Sequence, residues 1–276
     1  MTKIRGVKFF APISIIIIYL ACTNIQTGQT TQRFYDNING NLRTYGDLTI
    51  TTPTSFSFSA MGDTHIGSSG GALMARALQM SKNDGDSFAV IAGDDSNTGI
   101  ESELLTFLSQ ISDSGLTAFP AIGNHDIFFG GWANYKRIIG RSIYSLNAGN
   151  THFIFLDTAN GAFGEDQLHW LTDDLNRNTL PNKVVIMHFP IYIGEFSSLY
   201  KISSDEEATI FKNIMHKFGV NLVISGHYHG YGEKFIGGTR YIVTGACNNI
   251  LDIGNRSGYV KVTVSGTDLS IRQIEL

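Results

Sequence analysis

A chain of 276 residues, 42% of them hydrophobic, can bury one large core or at most two small ones. Its formal net charge of -4 excludes a broad basic footprint for nucleic acid. A polyanionic ligand would need a local positive centre, which bound cations can supply.

The N-terminus reads as a targeting segment over residues 1–21. Lys3, Arg5 and Lys8 precede an apolar run, Phe9 to Ala21, interrupted by Pro12 and Ser14 and too short to span a bilayer. It ends Tyr19-Leu20-Ala21-Cys22, which resembles a bacterial lipobox with Tyr where Leu is usual. The expectation is an exported chain, lipidated at Cys22 and held to a bacterial cell membrane on its periplasmic or outer side. A conventional signal peptide cut nearby, or an uncleaved anchor, is the alternative. Cys247 then has no internal partner, so no disulfide framework forms, and it reads as a small buried apolar residue.

Residues 22–47, rich in Thr, Asn, Gln and Gly up to Asn41, read as a polar tether, and residues 48–276 as one domain. Leu48 to Thr52 suggests an outer strand. Strands and helices then alternate. Strands are expected at Ser55–Met61, Ser87–Ala92 and Thr117–Ile122, and helices at Gly71–Lys82, Ile100–Ser112 and Trp132–Ile139. Ile143–Leu146 and His152–Leu156 suggest a strand pair about a turn at Ala148-Gly149-Asn150. A helix at Glu165–Leu175, a strand at Lys183–Met187 and a helix at Ser204–Phe218 follow. In the last, Ser204 and Glu207 have capping-box spacing, and Phe211, Ile214, Met215 and Phe218 form an apolar stripe. After a strand at Val220–Ile224 the chain turns all-strand: Gly232–Ile236, Arg240–Thr244, Tyr259–Val264 and Leu269–Ile274, with Gly237-Gly238 as a hairpin turn. This order predicts an α/β fold of two packed mixed sheets flanked by helices.

Five short motifs, each after an expected strand, carry the chemistry: Asp63-Thr64-His65, Gly93-Asp94, Gly123-Asn124-His125-Asp126, Met187-His188 and Gly226-His227-Tyr228-His229. Alternate residues at a strand end point the same way, so His227 and His229 are expected to reach one site together. Ligands of α/β sheets bind beyond the carboxyl ends of strands, so one cleft can gather all five motifs. The set offers imidazole, carboxylate and amide donors and no thiolate, which suits Zn, Fe, Mn, Co or Ni. Two such metals about 3.5–4 Å apart can clamp the attacking and leaving oxygens of a displacement at phosphorus, as they do in two-metal phosphatases. A shared carboxylate is needed to offset their repulsion.

The order Asp-x-His, Gly-Asp, Gly-Asn-His-Asp, His, Gly-His-x-His resembles the calcineurin-like metallophosphoesterases, from about Phe56 to Ala246. Tyr144 to Asp157 and the Gln-x-x-Trp-Leu pattern from Gln167 also look like that family. The resemblance implies the family's sandwich and two divalent or mixed-valence ions (Mn, Fe or Zn). It implies Asp63, His65 and His229 on the first metal, Asp94 as bridge, and Asn124, His188 and His227 on the second. His125 would be the proton donor near the phosphate, with Asp126 orienting it through a hydrogen bond. A hydroxide between the metals would attack a small-molecule or macromolecular phosphate ester. Purple acid phosphatases carry a Tyr ligand three residues after the bridging Asp. Here that position is Asn97, which favours phosphodiesterase-type members. A phosphomonoesterase or protein phosphatase is the alternative within the enzyme class, and a catalytically silent metal-binding interaction domain is the alternative outside it.

Other residues read as structural. Asp95 is expected as a solvated neighbour or turn former, His152 as half-buried, His169 on the Gln167 to Leu175 helix and His216 beside the apolar stripe of its own helix, none of the three histidines as a metal ligand. Phe128, Phe129, Trp132, Tyr192 and Tyr228 flank the motifs and suit either a substrate wall or rim packing.

Overall fold

The computed structural model describes residues 29–40, 42, 49–68, 71–192, 200–249 and 256–276. The targeting segment, Cys22 and most of residues 41–48 lie outside these. Among the described residues no helix is long and apolar enough to cross a membrane.

Two sheets pack face to face. The five-stranded sheet holds β2 (Ser55–Met61), β3 (Ala89–Ile91), β4 (Ala118–Pro120), β11 (Gly258–Ser265) and β12 (Asp268–Glu275), in the order β12-β11-β2-β3-β4. The seven-stranded sheet comprises β1 (Thr49–Ile50), β5 (Tyr144–Ala148), β6 (Thr151–Phe155), β7 (Asn182–Ile186), β8 (Leu222–Ser225), β9 (Tyr231–Ile236) and β10 (Thr239–Thr244). Its order is β1-β5-β6-β7-β8-β10-β9. Both are mixed: β2, β3 and β4 run parallel, as do β6, β7, β8 and β10, while β11, β12 and β9 pair antiparallel. This is the expected architecture.

The two-residue period of strands sorts side chains between layers. Phe56, Phe58 and Ala60 of β2 face the space between the sheets, where Phe88, Phe119, Phe153 and Phe155 join them. Phe58 stacks on Phe88 with ring centroids 5.4 Å apart and meets Phe153 edge-on at 5.1 Å. Ala89 and Ile91 of β3 face outward to α2 (Gly71–Asn83) and α3 (Glu101–Ser114). On the far face of the other sheet, α5 (Glu165–Arg177) and α6 (Asp205–Phe218) cover Val185, Val223 and Tyr241. α4 (Trp132–Ile138) closes the α3 side. Ser204 caps α6 by accepting the Glu207 N–H at 3.1 Å. The capping box is only half made, because the Glu207 carboxylate turns away to accept the Phe163 and Gly164 N–H groups at the start of α5.

The tether reading is corrected where the chain is described. Residues 29–39 form a helix, α1, docked on the domain. Arg33 makes a bidentate pair with Asp157 at 2.7 and 2.8 Å, both side chains buried. Asn37 accepts the Ser142 N–H, and Ser142 Oγ donates to the same Asp157 carboxylate. Asp36 accepts from Trp132 Nε1 and Lys136 Nζ. The composition is polar because the contacts are polar.

Arg33→Ala should therefore destabilise the whole domain. It strands the Asp157 carboxylate in the interior, at a cost of about 3–5 kcal/mol. Denaturant unfolding measures this; a change within error of zero would mean that α1 is a dispensable tether.

Candidate metal centre

The five motifs converge at one end of the sandwich, on loops that follow β2, β3, β4, β7 and β8. Those loops are zipped by their backbones: the Asp63 N–H donates to Gly93 O, and the His65 N–H to Asp94 O. Asp63, His65, Asp94 and His229 place one ligand atom each within 4.8 Å of one another. Asp94, His188 and His227 form a second such group, so Asp94 belongs to both. Asn124 joins the second group, its Oδ1 lying 3.0 Å from His188 Nε2. The structure thus gathers all seven residues expected as ligands.

Two glycines make this approach possible. A Cβ on Gly123 would stand 2.2 Å from Asp94 Oδ1, and one on Gly93 would stand 2.7 Å from His188 Nδ1. Six non-glycine residues among those described have positive φ, and five are donors of this site: Asp63, His65, Asp94, His227 and His229. Left-handed backbone is uncommon outside glycine and concentrates at functional sites. His227 and His229 therefore converge by a different route from the one expected. They lie on a loop beyond β8 with φ of 70° and 57°, and each joins a different group, linked through Asp94.

The donor chemistry fits cations. His188 Nδ1 lies 2.8 Å from Ala92 O, so it carries the proton and donates. In the neutral ring, Nε2 then points a lone pair at Asn124 Oδ1, at Asp94 Oδ2 3.3 Å away and at His227 Nδ1 3.2 Å away. His65 and His229 likewise bring Nε2 to Nε2 at 3.2 Å. One cation among these atoms would satisfy them together, and an imidazole whose other nitrogen donates to a carbonyl is oriented as metal ligands commonly are.

Without that charge, protons redistribute. Burial works against ionised Asp94, but His188 and the other imidazoles outweigh it and hold the carboxyl below the usual range. Burial likewise disfavours charged His188, yet Asp94 pushes it up to about 9. Burial pushes Asp63 up to about 6 and draws His65 down to about 4 and His227 down to about 3.

His125 belongs to neither donor group. Its Nδ1 donates to Asn97 O at 2.7 Å, and its ring meets His65 edge-on at 4.4 Å. This corrects the role expected of Asp126. The Asp126 carboxylate accepts from the N–H groups of Asp95, Ser96 and Gly123 and from Ser96 Oγ. It staples the loop after β3 to the loop after β4, and Asn97, at the end of the first loop, holds the imidazole. Asp95 is corrected too: it is fully buried, its two carboxylate oxygens have no hydrogen-bond partner among the described residues, and burial raises its pKa well above the usual range.

Further supports have no motif of their own. Thr158 Oγ1 accepts the His188 and Phe189 N–H groups, Asn248 donates to Asp63 O, and Asp94 Oδ1 accepts the His125 N–H. Only Asp157, which neighbours Thr158 and ends the Tyr144 to Asp157 segment, carries a sequence signal. The remaining histidines lie apart. His152 is buried and held by Asn147 and Asp174, while His169 and His216 sit on helix surfaces. Trp132 is tied to Asp36, and Cys247 is buried with its thiol raised by burial.

The family model described as calcineurin-like phosphoesterase matches residues 56–231. A probable cyclic nucleotide phosphodiesterase of Synechococcus sp. is 28% identical over 160 residues, covering 54% of this chain and 59% of that protein. An acid phosphatase of Aspergillus ficuum is 34% identical over 88 residues, covering 30% of this chain and 14% of that protein. The chain thus spans less than two thirds of the length of these curated relatives. The crystal structure of a dimetal phosphatase from Danio rerio superposes with a TM-score of 0.62 at 13% identity, covering 81% of this chain and 97% of that one, and shares the fold.

Asp63 and His188, raised to about 6 and about 9, hold protons that an arriving cation must displace. Metal affinity should therefore climb with pH across that window. Calorimetric titration of metal-free protein with Mn²⁺, in buffers of different ionisation enthalpy near neutral pH, should show net proton release. Proton-neutral binding would contradict the arrangement.

Proposed function

Because the chain belongs to the calcineurin-like phosphoesterase family, we propose that it is a binuclear metal-dependent hydrolase of phosphate esters, with diesters as the favoured class. One observation carries this reading: two donor groups share the single carboxylate of Asp94, and His125 stands beside them without joining either. Asp63, His65 and His229 would hold one ion, Asn124, His188 and His227 the other, and Asp94 both. When bound, the pair supplies Lewis-acid activation of the phosphoryl group and of the attacking water.

The chain's own residues do the rest. His125, its Nδ1 fixed on Asn97 O, keeps Nε2 for the substrate. As the P–O bond to the alcohol breaks, His125 acts from its doubly protonated form: Nδ1–H stays on Asn97 O, the Nε2 proton passes to the departing oxygen, and the ring is left neutral. Asp126 acts at one remove, by fixing the two loops that carry Asp94 and His125. The diester preference is supported by the relative named a phosphodiesterase and by Asn97 in place of a tyrosine ligand. The relative named an acid phosphatase supports the monoester alternative.

The test is turnover of mono- and diesters by Mn²⁺-loaded protein, wild type against His125→Ala. The variant should retain full metal content by elemental analysis. It should lose about 10²–10⁴-fold on alkyl esters, whose poor leaving groups need a proton, and less on nitrophenyl esters. Equal losses on both classes, or lost metal, would make His125 a ligand or a binding group.

Localisation rests on the N-terminal residues. We propose export and lipidation at Cys22, on the strength of the basic and apolar run that ends there. Cys22→Ser should move the protein from the membrane to the soluble fraction; a variant that stays with the membrane would point to an uncleaved anchor.

A further inference from the structure

Phe129 breaks two rules of protein surfaces at once. It is 89% exposed, the most exposed large apolar side chain among the described residues. It is also the sixth non-glycine residue with positive φ among them, at 52°, and the only one of the six outside the donor set. For a bulky side chain that backbone is a true outlier. The next two residues are Gly130 and Gly131, so unstrained occupants of such a conformation stand immediately beside it.

The loop is firmly built. Gly131 N–H donates to Phe128 O at 2.8 Å, and a Cβ on Gly131 would stand 2.2 Å from Asp126 O. Packing does not account for an exposed phenyl group on left-handed backbone here, and such strain concentrates at functional sites.

The rings form a path to the chemistry. His65 meets His125 at 4.4 Å between centroids, His125 meets Phe128 at 4.5 Å, and Phe128 meets Phe129 edge-on at 6.4 Å. Phe128 is itself 40% exposed. Phe128 and Phe129 thus stand in line beyond His125, towards solvent.

We propose that Phe128 and Phe129 form the leaving-group subsite, and that it selects phosphate esters of large planar apolar alcohols. This rests on the phosphoesterase reading and deepens it. An aromatic leaving group laid against the pair gains offset or edge contacts and buries apolar area that is otherwise wet. The left-handed backbone at Phe129 projects the second ring outward from a loop that Asp126 holds rigid, so the contact is preorganised.

The experiment compares phenyl and 2-naphthyl esters, as monoesters and as methyl diesters, whose leaving alcohols are close in acidity. The full Mn²⁺-loaded chain should favour naphthyl over phenyl in kcat/KM by about tenfold, as apolar pockets discriminate. Phe129→Gly suits the backbone and removes the ring. It should abolish that preference, chiefly through KM, with metal content retained, while Phe129→Tyr should keep it. A wild type without the preference, or a Phe129→Gly variant that retains it, would overturn the assignment. Retention coupled with loss of phospholipid-vesicle binding, read in a Cys22→Ser background, would assign the rings to a lipid surface instead. A wild type that turns over no ester at all would overturn the phosphoesterase reading itself.

Discussion

The structure depends on the burial of one carboxylate. Asp94 is almost completely shielded from water at the meeting point of the site loops, where a lone anion would be untenable. It survives there because imidazoles surround it and because a cation, whether a proton on His188 or a metal, sits among them. The sandwich beneath is a means of delivering those imidazoles. Parallel strands of both sheets end at the same level, and their loops inherit that alignment.

Delivery is costly, and the cost is borne locally. Five donors take up left-handed backbone, and glycines flank them where a Cβ would collide with a donor. Asp126 offsets part of this by gathering four donors from two loops onto one carboxylate. Asp157 does the same one layer further out, joining Arg33, Ser142 and the Ala159 N–H, next to the Thr158 hydroxyl that receives His188. Successive shells of acceptors thus run from the ligands to the N-terminal helix.

Much of this is legible in the chain. Strands such as Ser55–Met61 announce themselves through alternation, and the candidate ligands through the motif order, since His or Asp after a strand has few other reasons to recur five times. Relationships across space are not legible in the same way. Asp126 follows His125 directly, so adjacency suggests that the two are bonded, whereas its partners come chiefly from a loop about thirty residues earlier. His227 and His229 resemble strand-end neighbours because spacing carries no sign of φ. Asp95 reads as solvated because a charged residue beside a ligand usually is. α1 reads as a tether because Phe34 is the one buried hydrophobic side chain on its described docking face, beside Arg33, Asp36 and Asn37, and hydrophobic periodicity cannot register a helix held largely by ion pairs and hydrogen bonds.

The docking of α1 also sets a leash. Between Cys22 and Gln29, the first residue of α1 among the described residues, lie residues 23–28. A lipid on Cys22 would then hold the catalytic domain within roughly 20–25 Å of the bilayer even at full stretch. On so short a leash, were Cys22 lipidated as proposed, the domain would not roam for dissolved substrate; it would graze a shell of water little thicker than itself. The local concentration of membrane-borne or surface-retained esters in that shell, more than their bulk abundance, would govern how often the site is filled.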